Sequence, residues 1–465
     1  MKNQELLKSS SAIDKATSKV RAFIDAIVDG ESFVETDVFL TGKSFDSAAE
    51  ALGEGVVTGY ATIGGRPVHL FAQNSEVLKG SLSLAHAAKI VKAMRRAIQS
   101  ETPFLSIIDS CGARVGEGAS VMEGYAQILA ESFRLGREVP HFCVVKGTAV
   151  GMMATYVAGA DFAFMSNDAI MSVNAPMYLA AQTKSMPVDY KKLIGYSAYK
   201  QGSDLAQFSY SDAQDLSAQL RKLMDMVLPN EEDESDDDAN RVDPQLESAK
   251  DAAGRIASVC DLGQVLPYCD DYASDVRCAI AKINGITVGV LATQGDYIGE
   301  DGLDKATSFV GKLEAYGLPL VTLVDTLGVN PTLAQEKAGI AKKANALMQA
   351  IESADIPKIG VAVGNAVGFG YTALMSKGIG FGYTLATSGA IVSPISGVTA
   401  VNSMMEEQLK KAKDVDKMRA TLEKEYAALQ ANPVIAAQDG YLDNVVEATN
   451  LRPYIASALL MLLGI

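Results

Sequence analysis

The chain has few of the side chains that most enzymes use for chemistry. Its 465 residues include three histidines, His69, His86 and His141, and no tryptophan. So few histidines make a histidine-built metal site improbable. The cysteines, Cys111, Cys143, Cys260, Cys269 and Cys278, form no Cys-x-x-Cys pair. That argues against a zinc ribbon and for a reducing compartment. Basic residues are outnumbered, 41 against 56 acidic ones, for a net charge of -15. Such a surface repels phosphate backbones and anionic lipid, which excludes nucleic acid as a primary partner. No uncharged apolar run reaches the roughly 18 residues of a membrane helix. Met1-Lys2-Asn3-Gln4-Glu5 opens a polar helical pattern without an apolar signal core. The expectation is a cytoplasmic protein with no direct membrane insertion. What is plentiful is apolar residues, 48%, and glycine, 40 residues, a composition suited to a packed globular enzyme.

The chain also repeats itself. Gly147-Thr148-Ala149-Val150-Gly151 returns as Gly364-Asn365-Ala366-Val367-Gly368. Ile107-Ile108-Asp109-Ser110-Cys111-Gly112 returns as Leu323-Val324-Asp325-Thr326-Leu327-Gly328, and Ile63-Gly64-Gly65 with Val68 returns as Ile283-Asn284-Gly285 with Val288. The blocks keep their order and nearly their offset, so the chain reads as two copies of one module, which suits its length. The expected division is an N-terminal domain over 1–230 and a C-terminal domain over 244–465, with an acidic linker at 229–243. Seven of the eight residues from Glu231 to Asp238 are carboxylates, too charged a run to enter a core. The run lacks the glycine-turned loop of a calcium hand.

Periodicity places a helix over 1–28, then a β-hairpin from Val56 to Ala72 turned at Gly64-Gly65. A helix over 82–99 follows, broken by Pro103, then a strand from Phe104 ending at Asp109, a helix over 120–136, and the strand His141 to Val145. That strand feeds a glycine loop and a small-residue helix at 152–160. The second copy predicts a hairpin at 276–292, a helix at 304–316, the strand Pro319 to Val324, a helix at 336–353 and the strand Lys358 to Val363 before its own glycine loop. The Leu459–Leu463 run reads as the last turns of an amphipathic helix. Repeated βα crossovers of this kind define an α/β module.

Each glycine loop lies between an apolar strand and a helix. Main-chain N–H groups at a helix start have no partner within the helix, and glycine allows a close approach of backbone to ligand. Gly151 with Met152, and Phe369 with Gly368 and Gly370, are therefore candidate oxyanion holes; tight helix–strand packing is the competing explanation for the glycines. Ser110 and Thr326 follow aspartates at strand ends, but no histidine sits in matched places in both copies, which weakens a nucleophilic triad. Cys111 reads as a small buried residue or a reactive thiol. Arg114, in Gly112-Ala113-Arg114-Val115-Gly116-Glu117-Gly118, is either an anion contact or the partner of Glu117 or of another chain. Neither glycine loop carries a P-loop Lys-Ser or Lys-Thr tail, and no Gly-x-Gly-x-x-Gly follows the first strand.

These motifs resemble the carboxyltransferase subunits of biotin-dependent acyl-CoA carboxylases and decarboxylases, of the propionyl-CoA carboxylase beta and methylmalonyl-CoA or glutaconyl-CoA decarboxylase alpha type. The likeness runs from Asp29-Gly30-Glu31 through Gly55-Val56-Val57-Thr58-Gly59-Tyr60, Asp109-Ser110-Cys111-Gly112-Ala113-Arg114, Pro319 to Asp325, Ile356-Pro357-Lys358 and Asn432-Pro433, to Gly440-Tyr441. The resemblance implies tandem crotonase-like (ClpP/crotonase) ββα-superhelix domains in an α/β fold. It implies an acyl-CoA site on the first copy (Cys111, Gly112, Ala113, Arg114, Gly151) and a biotin site on the second (Gly328, Gly368, Phe369, Thr372). Catalysis would rest on N–H groups at Gly151, Met152, Phe369 and Gly370, with biotin taking the substrate proton and no metal. The family usually has Gly-Gly where this chain has Gly151-Met152 and Gly368-Phe369. No biotinyl Ala-Met-Lys-Met motif is present, so the resemblance implies biotin on a separate carrier protein and a coenzyme A thioester as substrate. Implied partners are that biotin carboxyl carrier protein, a biotin carboxylase or membrane decarboxylase subunits, and further copies of the chain as a dimer or trimer of dimers. A crotonase-like hydratase or hydrolase, and a non-catalytic acyl-CoA-binding scaffold, stay open as alternatives.

Overall fold

The computed structural model describes residues 2–42, 51–183, 186–228, 235, 237–244, 246, 249 and 251–465, with 2–10 as backbone only. It divides into two compact units, Met1–Met224 and Asp225–Ile465. The first is built on strands β1 (Val34–Thr36), β2 (Val56–Ile63), β3 (Arg66–Gln73), β4 (Phe104–Ser110), β5 (His141–Val150), β6 (Phe162–Ser166), β7 (Ile170–Ser172) and β8 (Phe208–Tyr210). The second has β9 (Val265–Tyr268), β10 (Val276–Ile283), β11 (Ile286–Thr293), β12 (Leu320–Thr326), β13 (Lys358–Val367), β14 (Tyr383–Thr387), β15 (Ile391–Ser393) and β16 (Asn444–Val446).

Each unit starts its repeat with an antiparallel hairpin and continues with parallel strands. β2 pairs β3 from Val56↔Gln73 to Ile63↔Arg66, and Gly64 and Gly65 close the turn at φ +59° and +75°. β10 pairs β11 from Val276↔Thr293 to Ile283↔Ile286, with Asn284 and Gly285 at +53° and +80°. Two consecutive left-handed residues fit the twist of a tight hairpin, which explains Gly-Gly and Asn-Gly there. From β3 and β11 onward the pairing to β4, β5 and β6, and to β12, β13 and β14, is parallel. Parallel pairing requires crossovers, and helices such as Leu84–Gln99, Ala119–Glu138 and Glu300–Ala315 provide them. The cores lie between sheet and helices: Phe71, Ile90, Met94 and Phe104 in the first unit, and Val288, Leu323, Val361 and Leu459 in the second.

The helices Leu84–Gln99 and Glu300–Ala315 each bury a lysine. Lys89 donates to the carbonyls of Gly53 (3.1 Å) and Val56 (2.6 Å), and Lys305 to those of Cys269 (2.8 Å) and Tyr272 (2.6 Å). These matched clamps are a part of the repeat that the motif blocks do not display. Beside Lys89 lies His86, fully buried at the start of its helix, where Ser83 caps the His86 N–H at 2.9 Å. Its Nδ1 donates to the Glu54 carbonyl at 2.8 Å and its Nε2 accepts from Gln73 at 3.3 Å, which fixes a neutral tautomer. Burial pulls its pKa down from 6.5 to about 3; the Glu54 carbonyl opposes this, and the cations of Arg114 and Lys89 add to it. The unfolded chain therefore takes up a proton that the native fold refuses. This contribution to stability is complete above about pH 6.5 and is lost at up to about 1.4 kcal/mol per pH unit as pH falls toward 3. Urea unfolding of the wild type is expected to lose stability between pH 6.5 and 4 more steeply than unfolding of His86→Gln. Parallel pH curves would refute this.

Several expectations are corrected. The glycine loops are mostly strand: β5 continues to Val150 and β13 to Val367, because β7 pairs Thr148–Val150 and β15 pairs Asn365–Val367. The helix expected over 336–353 is broken by Gly339 at φ +88° into Leu333–Ala338 and Ile340–Ser353. The acidic run is not wholly a solvated linker. Residues 231–234 and 236 lie outside the described ones, but Asp237 is nearly buried and pairs with Arg241 (3.0 Å) and Arg452 (3.1 Å).

Candidate functional site

The site is built where two strand ends meet in each unit. After β5, Gly151 turns the chain at φ +71° and the helix Met152–Ala158 begins. After β13, Gly368 turns at φ +51° into the helix Phe369–Leu374. These backbone angles require glycine. The glycine N–H groups are not free, because Gly151 donates to the Ser172 carbonyl and Gly368 to that of Ser393, both at 2.9 Å. The next N–H groups, of Met152 and Phe369, have no acceptor among the described residues.

The loops after β4 and β12 follow the same logic. Cys111 N–H goes to Lys79 O (3.1 Å), Gly112 N–H to Ser110 Oγ (3.2 Å) and Arg114 N–H to Leu82 O (2.9 Å), which leaves Ala113 N–H without an acceptor among the described residues. In the second unit Leu327 N–H goes to Asp296 O (2.6 Å), Gly328 N–H to Thr326 Oγ1 (3.2 Å) and Asn330 N–H to Ile298 O (2.9 Å), leaving Val329. In each unit one donor from each of the two loops, Ala113 with Met152 and Val329 with Phe369, thus lacks an acceptor among the described residues. Unpaired donors are normally satisfied by something outside the chain.

Ala113, Gly151 and Met152 line one cavity of about 400 Å³, walled by Val121 and Tyr125. The Tyr125 hydroxyl is buried without a hydrogen-bond partner, and burial raises its pKa, with the Cys111 thiol adding to the rise. In the second unit Gly368 and Thr372 line a cavity of about 550 Å³ with Tyr371, Gln430, Asn432 and Tyr441. Phe369, Gly370 and Gly328 are not among its lining residues. Gly370 has a packing reason to be glycine, since a Cβ there would lie 2.6 Å from Thr326 Cγ2.

At two of the expected site residues the structure narrows the alternatives that the sequence leaves open. Cys111 is exposed, not buried. Arg114 is not an open cation. Its Nη1 pairs with Glu54 (2.8 Å) and Glu117 (3.3 Å), and Nη2 donates to the Ser81 carbonyl (3.3 Å). Two carboxylates cancel its charge, so it shapes the loop around Ala113. Residue motifs did not single out Val329, whose N–H matters and whose side chain is ordinary. They also passed over the carboxylates of Asp109 and Asp325 inside the repeat blocks. Among the described residues no group of His, Cys, Asp or Glu could hold a metal ion, and no helix is long and apolar enough to cross a membrane.

Each α/β unit carries backbone donors without an acceptor among the described residues at its strand ends, an arrangement suited to holding an oxyanion. Residues 13–463 match the carboxyl transferase domain family, and the chain belongs to it. It is 30% identical over 467 residues to the methylmalonyl-CoA carboxyltransferase 12S subunit of Propionibacterium freudenreichii subsp. shermanii, covering 96% of this chain and 88% of that one. It is also 30% identical over 480 residues to the methylmalonyl-CoA decarboxylase subunit alpha of Veillonella parvula, covering 99% and 92%. The crystal structure of transcarboxylase 12S with methylmalonyl-coenzyme A and methylmalonic acid bound superposes with a TM-score of 0.87 at 28% identity, covering 99% of this chain and 95% of that one. The protein is a carboxyltransferase on the tandem crotonase-like α/β fold that the family resemblance implied.

Proposed function

We propose that the chain moves a carboxyl group between a short acyl-coenzyme A thioester and biotin on a separate carrier protein. The observation that carries this reading is the duplicated pair of unengaged N–H groups. A thioester oxygen and a ureido oxygen both gain negative charge as the carboxyl group moves, and each needs preorganised donors. Ala113 and Met152 are assigned to the thioester oxygen, Val329 and Phe369 to the ureido oxygen. Gly151 and Gly368 orient them, and Thr372 with the second cavity receives the biotin end. Biotin, when bound, would exchange its N–H proton for the carboxyl group, giving that proton to the α-carbon when it accepts the carboxyl group and taking the α-proton when it donates it, so the exchange calls for no side-chain base.

The names of the relatives support methylmalonyl- or propionyl-type thioesters and assembly of several copies. A biotin carrier, carboxylase or membrane decarboxylase subunits as partners, and a cytoplasmic location, are proposed with this reading. The test mixes the protein with free biotin and a panel of malonyl-, methylmalonyl- and glutaconyl-coenzyme A. Biotin-dependent loss of the thioester carboxylate is expected with at least one of them. Tight coenzyme A binding without turnover on any of them would favour the scaffold alternative.

A further inference from the structure

The parallel ladder between β4 and β5 runs from Phe104↔His141 to Ile108↔Val145 and resumes at Ser110↔Ala149. A single residue, Asp109, therefore faces Lys146, Gly147 and Thr148. Between β12 and β13 the ladder stops at Val324↔Ala362 and resumes at Thr326↔Ala366, so Asp325 faces Val363, Gly364 and Asn365. A bulge of this kind strips main-chain groups of their ladder partners and re-aims the strand beyond it. The aspartate fills the gap: Asp109 Oδ1 accepts from Thr148 N–H at 3.1 Å, and Asp325 Oδ1 accepts from Asn365 N–H at 2.8 Å. Gly147 and Gly364 are glycine for this reason, because a Cβ at either would lie 2.3 Å from that same Oδ1.

Both aspartates are themselves anchored. Asp109 N–H donates to Gln73 at 3.2 Å and Asp325 N–H to Thr293 at 2.7 Å, the last residues of β3 and β11. Their second oxygens meet different cations. Asp109 Oδ2 takes Lys146 (3.0 Å) and Ser75 (2.7 Å), while Asp325 Oδ2 takes Arg255 (2.8 Å). The charge partner differs between the copies, but the carboxylate-to-N–H clamp does not. A few residues past each bulge the strand delivers Gly151-Met152 or Gly368-Phe369.

We infer that Asp109 and Asp325 are matched positioning residues, each setting the strand bulge that places one pair of main-chain donors. The activity readout rests on the carboxyl-transfer reading above; a second readout does not need it. The variants are Asp109→Ala and Asp325→Ala in the full chain, with Asp109→Asn and Asp325→Asn keeping an acceptor oxygen for the N–H. Hydrogen exchange is followed in segments 146–152 and 363–369, beside steady-state kinetics of biotin-dependent decarboxylation. Asp109→Ala is expected to speed exchange in 146–152 alone, to lower kcat by about 10²-fold and to raise KM for the acyl-CoA but not for biotin. Asp325→Ala is expected to do the mirror image, and the asparagine variants to restore most of each loss. Unchanged exchange and kcat in the alanine variants, or loosening of both segments by either variant, overturns the inference. If the wild type turns over no acyl-CoA, the carboxyl-transfer reading fails and the exchange data alone decide between local and absent effects.

Discussion

Proline in place of Met152 or of Phe369 is expected to lower turnover by about 10²–10³, the usual loss when one oxyanion donor is deleted. The experiment is clean because of where these residues stand. Each is the first residue of its helix, Met152–Ala158 or Phe369–Leu374, and neither N–H is used within the chain among the described residues. Proline is tolerated at the first helical position, since the N–H it lacks is an orphan there anyway. The preceding residues are glycines, which accommodate the restriction that proline places on its neighbour. The fold therefore survives and only a donor disappears. Alanine at the same positions keeps the N–H and is expected to keep turnover. At Met152 it also widens the 400 Å³ cavity that this side chain lines, so a bulkier acyl-CoA gains relative to a small one. Steady-state rates with thermal unfolding of the same samples decide the matter. Proline variants that unfold normally and turn over at the wild-type rate would remove these two N–H groups from the mechanism.

What could be read in the sequence was set by local chemistry. The hairpin turns were legible because Gly64-Gly65 and Asn284-Gly285 occupy left-handed positions that few other residues tolerate. The oxyanion loops were located by their glycines, but not resolved to single donors. Gly151 and Gly368 look like the donors in a motif, yet their N–H groups are consumed by Ser172 and Ser393 on strands that come later in the chain. No local pattern announces that β7 and β15 will pair there. Arg114 shows the same limit: its cancelling partner Glu54 lies far away in sequence, so only the fold reveals that its charge is spent. Val329 is invisible to any reading by residue type, since its contribution is a main-chain N–H left over when its neighbours have bonded.

The acidic run between the copies yields the second large effect. Arg452, in the helix Leu451–Leu463, is 1% exposed and its Nη2 meets Asp261 at 2.7 Å and Asp237 at 3.1 Å. Asp261 also accepts from the N–H groups of Asn284 and Gly285, both at 2.8 Å, so the ion pair holds the β10–β11 hairpin turn. The first copy has the same device: Asp29 accepts from Gly64 (3.1 Å) and Gly65 (2.8 Å) and pairs with Arg221 at 2.5 Å. The two differ in burial, since the Arg221 side chain is 37% exposed. Arg452→Met is expected to destabilise the fold by about 3–5 kcal/mol, because it strands a buried carboxylate without its counter-charge. Arg221→Met is expected to cost under about 1 kcal/mol, since water screens the Asp29 charge it leaves. Adding Asp261→Asn to Arg452→Met is expected to recover part of the loss, since the loss comes from the uncompensated charge and not from the missing contact. Urea unfolding of these three variants supplies the comparison. Equal losses for Arg452→Met and Arg221→Met would show that burial does not govern the pair, and a double variant no better than the single would show that lost packing, not stranded charge, sets the cost.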